Sequence, residues 1–172
     1  MPRHRRRIAI AVAVLSLVGT AGLGTVAAAD TDTAGIMTAQ LSGAEEVPAA
    51  DTDARGVAVF KRTGEDELTF FLNVANIENV LMSHIHLAPA GQNGGVVVWL
   101  YPEGPPPQLI PGRFDGTLAT GTITSADLVG VLAGMTVQDL VDHIDAGNAY
   151  VNVHTSQFPG GEIRGQIAHH EP

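Results

Sequence analysis

The sequence has no cysteine. That excludes a disulfide, a thiolate nucleophile, a cysteine-ligated zinc site and a lipidated N-terminal cysteine. Bases are scarce: nine Lys+Arg stand against 18 Asp+Glu, a formal charge of −9. Four of those bases are Arg3, Arg5, Arg6 and Arg7. Removing these four leaves five bases against 18 acids, a formal charge of −13. A surface this acidic repels nucleic acid and anionic membranes; it favours solubility, or diffuse binding of a cationic partner. Past the N-terminal segment no apolar run is long enough to span a bilayer. The chain has no Gly-x-Ser-x-Gly, no P-loop and no Gly-x-Gly-x-x-Gly, and no carboxylate pair stands out for glycoside chemistry.

What is present starts with a leader. The basic run is followed by Ile8-Ala-Ile-Ala-Val-Ala-Val-Leu-Ser-Leu-Val18 and then by small residues ending Ala27-Ala28-Ala29. This is the layout of a secretory signal peptide over residues 1–29. The paired arginines also fit a twin-arginine exporter. Cleavage after Ala29 would leave residues 30–172, enough for one domain with a real core. The expected product is an exported protein, extracellular or in the cell envelope, with an unidentified partner there. It would keep no transmembrane segment.

Residues 30–35 read as a short linker. Short β-type runs with turn signals between them then fill the chain. They cover 36–41, 56–62, 68–75, 81–87, 96–101, 116–123, 149–155 and 162–168. Thr63-Gly64-Glu65-Asp66 reads as a hairpin turn, and residues 102–111 as a Pro-rich loop that no central strand would tolerate. Thr124 and Ser125 can cap a helical turn. Thr136 with Asp139 resembles a capping box, and Val137, Leu140, Val141 and Ile144 have helical spacing up to a stop at Gly147. Residues 169–172 read as a tail. The fold class expected is all-β: an antiparallel immunoglobulin-like or Greek-key sandwich or barrel with one short helix near the C-terminal end.

Two triplets carry the chemistry. His84-Ile-His86 puts two imidazoles on one face of a strand, and Asn152-Val-His154 does the same with an amide and an imidazole. Ile85, Leu87, Val151 and Val153 point the other way, to the expected core. Neutral imidazole suits copper, zinc, nickel or iron. If the strands pair, His84, His86 and His154 form a three-histidine site on the outer face of the sheet, suited to copper or zinc. The bland alternative is three rim histidines bonded to loops. Tyr150 and Asn152 share the His154 face as supporting groups. Glu162 and Arg164 share a face as an ion pair, or as charges that orient a histidine or steer an anion. His143, His169 and His170 read as surface or tail residues.

Those residues also carry a resemblance. Ser83-His-Ile-His-Leu-Ala-Pro-Ala-Gly-Gln-Asn-Gly-Gly-Val96, Gly147-Asn-Ala-Tyr-Val-Asn-Val-His-Thr155 and Pro159-Gly-Gly-Glu-Ile-Arg-Gly-Gln166 resemble the CHRD domain, named for its occurrence in chordin. Gln40-Leu-Ser-Gly-Ala-Glu-Glu-Val-Pro48 resembles its opening strand and turn. The likeness covers about residues 36–168. It implies an exported β-sandwich module and no particular chemistry. The cysteine-rich, growth-factor-binding modules of chordin have no counterpart here. A fainter likeness is to Cu/Zn superoxide dismutase, with His84, His86, His154 and Arg164 in the copper site; the disulfide, bridging histidine and zinc loop of that family are missing. Three readings therefore stand: a non-enzymatic binding module that takes a metal or a partner, a copper-dependent redox enzyme, and a structural envelope protein.

Overall fold

A computed structural model describes residues 35–169. The expected signal peptide, most of the linker, and His170 in the tail lie outside the described residues. The strands are β1 (Ile36–Ser42), β2 (Arg55–Gly64), β3 (Glu67–Leu87), β4 (Gly95–Tyr101), β5 (Ile110–Ile123), β6 (Ala149–Thr155), β7 (Ile163–Gln166) and β8 (Ala168–His169). One α-helix, α1 (Val137–Asp145), precedes β6. All strand pairs are antiparallel. The pairing runs β2–β1–β7–β6–β3 and returns from β3 to β2, which closes a five-stranded barrel. Strands β4 and β5 extend it along the other edge of β3. The expected all-β class holds, in its barrel form.

The closure depends on the length of β3. Its first half pairs with β2, and its second half pairs with β6. Two separate strands, 68–75 and 81–87, were expected here; the structure runs them together into one strand of 21 residues. The bend falls between them, where Asn76 and Asn79 take positive φ of 57° and 54°. Asparagine tolerates that region better than most residues. Both asparagines are tied to β5: the Asn76 N–H donates to Asp115 Oδ1 at 2.7 Å, and Asn79 Oδ1 accepts from the Gly112 N–H at 2.8 Å. The polar interruption is therefore a bulged corner of a strand, which redirects the chain without ending the ladder. Strand β5 also begins earlier than expected, and includes Pro111. It pairs only with β3, so a missing N–H there breaks no central ladder.

Phe60, Leu72, Ile77, Ile85, Val151 and Ile163 fill the interior, each fully buried. The capping box on α1 is as expected: the Asp139 N–H donates to Thr136 Oγ1, and Asp139 Oδ2 accepts from the Thr136 N–H at 2.8 Å. Val137, Leu140, Val141 and Ile144 face the core, and Gly147 leaves the helix with φ +71°. His169 is part of β8, opposite Met37, and its Nε2 lies 2.7 Å from Asp145 Oδ1.

The seam between β1 and β7 is narrow, with Ser42 opposite Arg164. It needs Gly165, because a Cβ there would lie 2.1 Å from the Gln40 carbonyl oxygen. Gly165→Ala must push the seam apart. The expected loss of stability is about 2–4 kcal/mol by denaturant unfolding, well beyond the few tenths of a surface substitution. An unchanged midpoint would mean that the seam is not a fixed closure.

Candidate metal centre

Strands β3 and β6 do pair, and their register decides who meets whom. His84 lies opposite Asn152, His86 opposite Tyr150, and His154 opposite Met82. Strand β7 continues the face beyond β6, with Arg164 opposite Asn152 and Gln166 opposite Tyr150. Strand β4 sets Trp99 beside His84 on the other side. Ile85, Val151 and Val153 go to the core, as the alternation predicts.

The three imidazoles converge. Each offers one ring nitrogen within 4.8 Å of the others. His84 Nδ1 and His154 Nε2 are 3.2 Å apart. The ring centroids of His84 lie 5.5 Å from those of His86 and 5.1 Å from those of His154. Trp99 stands edge-on to His84 at 4.3 Å, and Tyr150 stacks on His86 at 5.0 Å with the planes 12° apart.

The expectation of an open outer face needs correcting. The face is the expected one, but it is covered: His84 is 2% exposed, His86 8%, His154 6% and Asn152 3%. Every residue of β6 is buried, on both sides of the strand. The cover is made by loops. Residues 88–94 are held down by Arg164, which donates to the Gln92 carbonyl at 2.6 Å and to Asn93 Oδ1 at 3.2 Å. Gln166 Nε2 donates to the Ala88 carbonyl at 2.9 Å, and the Gly94 N–H donates to the Tyr150 hydroxyl at 3.2 Å. Gly94 has to be glycine, since a Cβ would lie 1.9 Å from the Leu87 carbonyl oxygen. On the other side Pro159 of the 156–161 loop reaches His154.

Arg164 therefore does not stand as a solvent-facing charge. It is 1% exposed, and its guanidinium carbon lies 3.5 Å from the centre of the Tyr150 ring. A charge so enclosed stabilises the loop and the stack through cation–π contact. It offers no mouth towards which an anion such as superoxide would be steered. Glu162 shares the face but serves elsewhere: its carboxylate accepts from Thr52 Oγ1 at 2.7 Å and Thr155 Oγ1 at 2.6 Å.

Proton positions follow from the partners. A carbonyl only accepts, so His86 Nδ1 carries a hydrogen for the Gly94 oxygen at 2.9 Å, and His154 Nδ1 carries one for the Pro159 oxygen at 3.0 Å. Both rings then present a bare Nε2. The contact between His84 Nδ1 and His154 Nε2 needs a proton, and only His84 can supply it. That leaves His84 Nε2 bare as well. Among the described residues, His84 Nε2, His86 Nε2 and Asn152 Oδ1 are buried without a hydrogen-bond partner from the protein. Native interiors rarely leave such atoms unpaired.

The rings are held neutral. Burial pushes the His84 pKa down to about 3, with the neighbouring His154 and His86 adding to it. Burial likewise lowers His154 to about 4, against the pull of the Pro159 carbonyl. His86 is lowered mainly by burial and further by the Arg164 charge, against the Gly94 carbonyl and the Asn152 amide.

The CHRD domain family matches residues 37–167. The chain belongs to that family. No curated protein and no solved structure matches it. The match spans almost all described residues, so the histidine face lies inside the CHRD domain proper.

Sequence alternation named the three histidines that the structure brings together, but it did not single out Trp99, Gln166 or Gly94. The same period of two would have added Met82, two residues before His84. Trp99 was out of reach, because β4 meets β3 through register shifts at Ser83/His84 and Ile85/His86. Glu46 carried no signal either. It is 6% exposed, its Oε1 has no partner, and burial raises its pKa to about 7 despite the Arg164 charge.

These shifts have opposite signs. The histidines bind protons less readily folded than unfolded, so they contribute stability above their unfolded pKa of about 6.5 that is lost as pH falls towards 3–4. Glu46 is the reverse: its contribution is full below pH 4.5 and lost as pH rises through about 7. For the metal-free protein, urea midpoints are expected to fall from pH 7 to pH 5, by up to about 1.4 kcal/mol per pH unit per histidine. His84→Gln/His154→Gln should flatten that limb, and Glu46→Gln, which removes an opposing contribution between pH 4.5 and 7, should steepen it. Parallel profiles in all three proteins would contradict the assignment.

Proposed function

We propose that this CHRD domain is a non-enzymatic binding module that holds a first-row transition metal, copper or zinc, on His84, His86 and His154. The observation that carries the reading is the convergence of three buried imidazoles, one nitrogen of each within 4.8 Å of the others, with His86 Nε2 left without a partner from the protein. A buried lone pair without a donor is unfavourable, and a metal ion satisfies several at once. The spacing agrees. Two nitrogens on one tetrahedral metal, each about 2.0–2.1 Å from it, are about 3.3 Å apart. His84 Nδ1 and His154 Nε2 are 3.2 Å apart.

The surroundings fit the role. The Gly94 and Pro159 carbonyls fix the tautomers of His86 and His154 and orient their rings, as second partners do in metal sites. The metal would replace the proton shared by His84 and His154; that proton moves to His84 Nε2, so a neutral ring remains neutral. Ion uptake then releases no net proton. The loops that cover the face keep the ion from exchanging freely with solvent. The basic and apolar N-terminal segment, together with the family's occurrence in exported proteins, supports a place outside the cytoplasm. The ion would be held there, at the cell surface or in the medium, by an acidic and disulfide-free domain.

Metal analysis of the protein exported by its native host, beside His84→Ala/His86→Ala, tests the reading. Near-stoichiometric metal is expected in the first and little in the second; equal content would reject the site. Metal at about 100 times its dissociation constant should also raise unfolding stability by about 2.7 kcal/mol. Calorimetric titration at pH 7.5 in two buffers of different ionisation enthalpy should give the same heat, since no proton is released. A buffer-dependent heat would overturn the proton accounting.

A further inference from the structure

We infer that the histidine face is selective for monovalent copper, with the Met82 thioether as its fourth donor. The inference rests on the metal-binding reading above and narrows it.

The charge around the site is the first ground. The converging group consists of three neutral imidazoles and includes no carboxylate. Glu162, the acid nearest in sequence to β7's part of the face, is engaged by the hydroxyls of Thr52 and Thr155. The charge stacked against the group is positive, while the buried Glu46 lies near Arg164 with its carboxyl raised to about 7. Arg164 stacks on Tyr150 at 3.5 Å, and Tyr150 stacks on His86 at 5.0 Å. Strand β6 runs between β3 and β7, so the tyrosine ring separates the guanidinium from the imidazole. The Arg164 hydrogen bonds go to the Gln92 and Pro89 carbonyls and to the Asn93 amide oxygen, all neutral acceptors.

Burying an ion in such a place is costly, and the cost rises with the square of its charge. A dication among neutral ligands, next to a buried guanidinium, keeps all of its charge. A monocation carries a quarter of the desolvation cost and half of the repulsion. Zinc sites of this kind usually offset the charge with a bound hydroxide or a carboxylate, and need room for it. Here His84 and His86 are buried, 2% and 8% exposed, and their Nε2 atoms are closed off from solvent. A d10 monocation is satisfied by three or four soft or borderline donors and needs no water.

The second ground is independent of charge. Met82 is the cross-strand partner of His154, and alternation sets it on the same face as His84 and His86. Directly paired residues have Cβ atoms about 4.5–5.5 Å apart, within reach of a thioether. Soft thioether sulfur favours copper(I) over zinc(II). The sequence thus sets Met82, His84 and His86 at alternate positions of one strand, with His154 closing the group.

Competition against a chromogenic copper(I) chelator, and in parallel against a zinc(II) indicator, measures the preference on the mature chain. Copper(I) is expected to bind at least about 100-fold more tightly than zinc(II). Met82→Leu, close in volume, should weaken copper(I) about tenfold and leave zinc(II) unchanged. X-ray absorption of the copper(I) form should record one sulfur beside the nitrogens, absent in Met82→Leu. Zinc binding as tight as copper(I) would overturn the selectivity and leave the metal site standing. A sulfur-free copper spectrum would overturn the role of Met82. Failure of the wild-type chain to bind copper(I), zinc(II) or nickel(II) would instead overturn the metal-binding reading itself.

Discussion

The register of β6 against β3 is the constraint on which the rest depends. Residues alternate faces, so a slip by one position would send His84, His86 and His154 into the barrel and Ile85, Val151 and Val153 out of it. Three imidazoles in an apolar interior and three aliphatic chains outside would both be unfavourable. The apolar side of the two strands therefore enforces the polar side. Burial of Ile85, Val151 and Val153 at 0% exposure, at about 1.5–3 kcal/mol for each large side chain, holds the histidines in place without any contact among them. The barrel adds to this. Because β3 pairs with β2 in its first half and β6 in its second, a slip at one end would have to be matched around the closed ring.

Arg164 transmits that order to the loops. It sits on the shortest full strand of the barrel, beside the seam with β1. From there it crosses the face, lies on Tyr150 and binds the 88–94 loop at three oxygens. A buried guanidinium is acceptable only when its donors are satisfied, so the loop and the arginine need each other. The loop in turn supplies the Gly94 carbonyl that fixes His86. Strand, arginine, loop and histidine thus form one chain of contacts. Replacing Arg164 would disturb the site by loosening its cover, although Arg164 touches none of the three candidate ligand nitrogens in the contacts described.

Much of this was legible in the residues. Alternation in two short segments was enough to put His84, His86, Asn152 and His154 on one face, and the helix 137–145 was readable from its cap and spacing. The burial of that face was not legible, since much of its cover comes from contacts far apart in sequence, such as Arg164 to Gln92 and Gln166 to Ala88, 72 and 78 residues away. No local pattern records them. The continuity of β3 was hidden for a different reason. Asn76 and Asn79 are turn formers by preference, and only pairing with β5 shows that they bend a strand here. The anion-steering role for Arg164 failed on the same point: a charge in a sequence has no address until its neighbours are known.

The strongest argument for a function lies in what the face leaves unpaired. A family pattern can persist because it builds a fold, and the Tyr150, Arg164 and Gly94 contacts are of that kind. Ring nitrogens without partners are not. His84 Nε2 and His86 Nε2 each stand to lose about 1–3 kcal/mol relative to a satisfied or apolar equivalent. Apolar residues of similar size would serve a purely structural face better, as the opposite side of the same strands demonstrates. Strands β3 and β6 carry isoleucine and valine inward and three neutral imidazoles into a second buried layer, an arrangement that agrees with the proposed ligand on nitrogen lone pairs. A hydrogen-bond donor could serve one of them. An ion of the kind proposed would bond to a nitrogen of each converging ring at once.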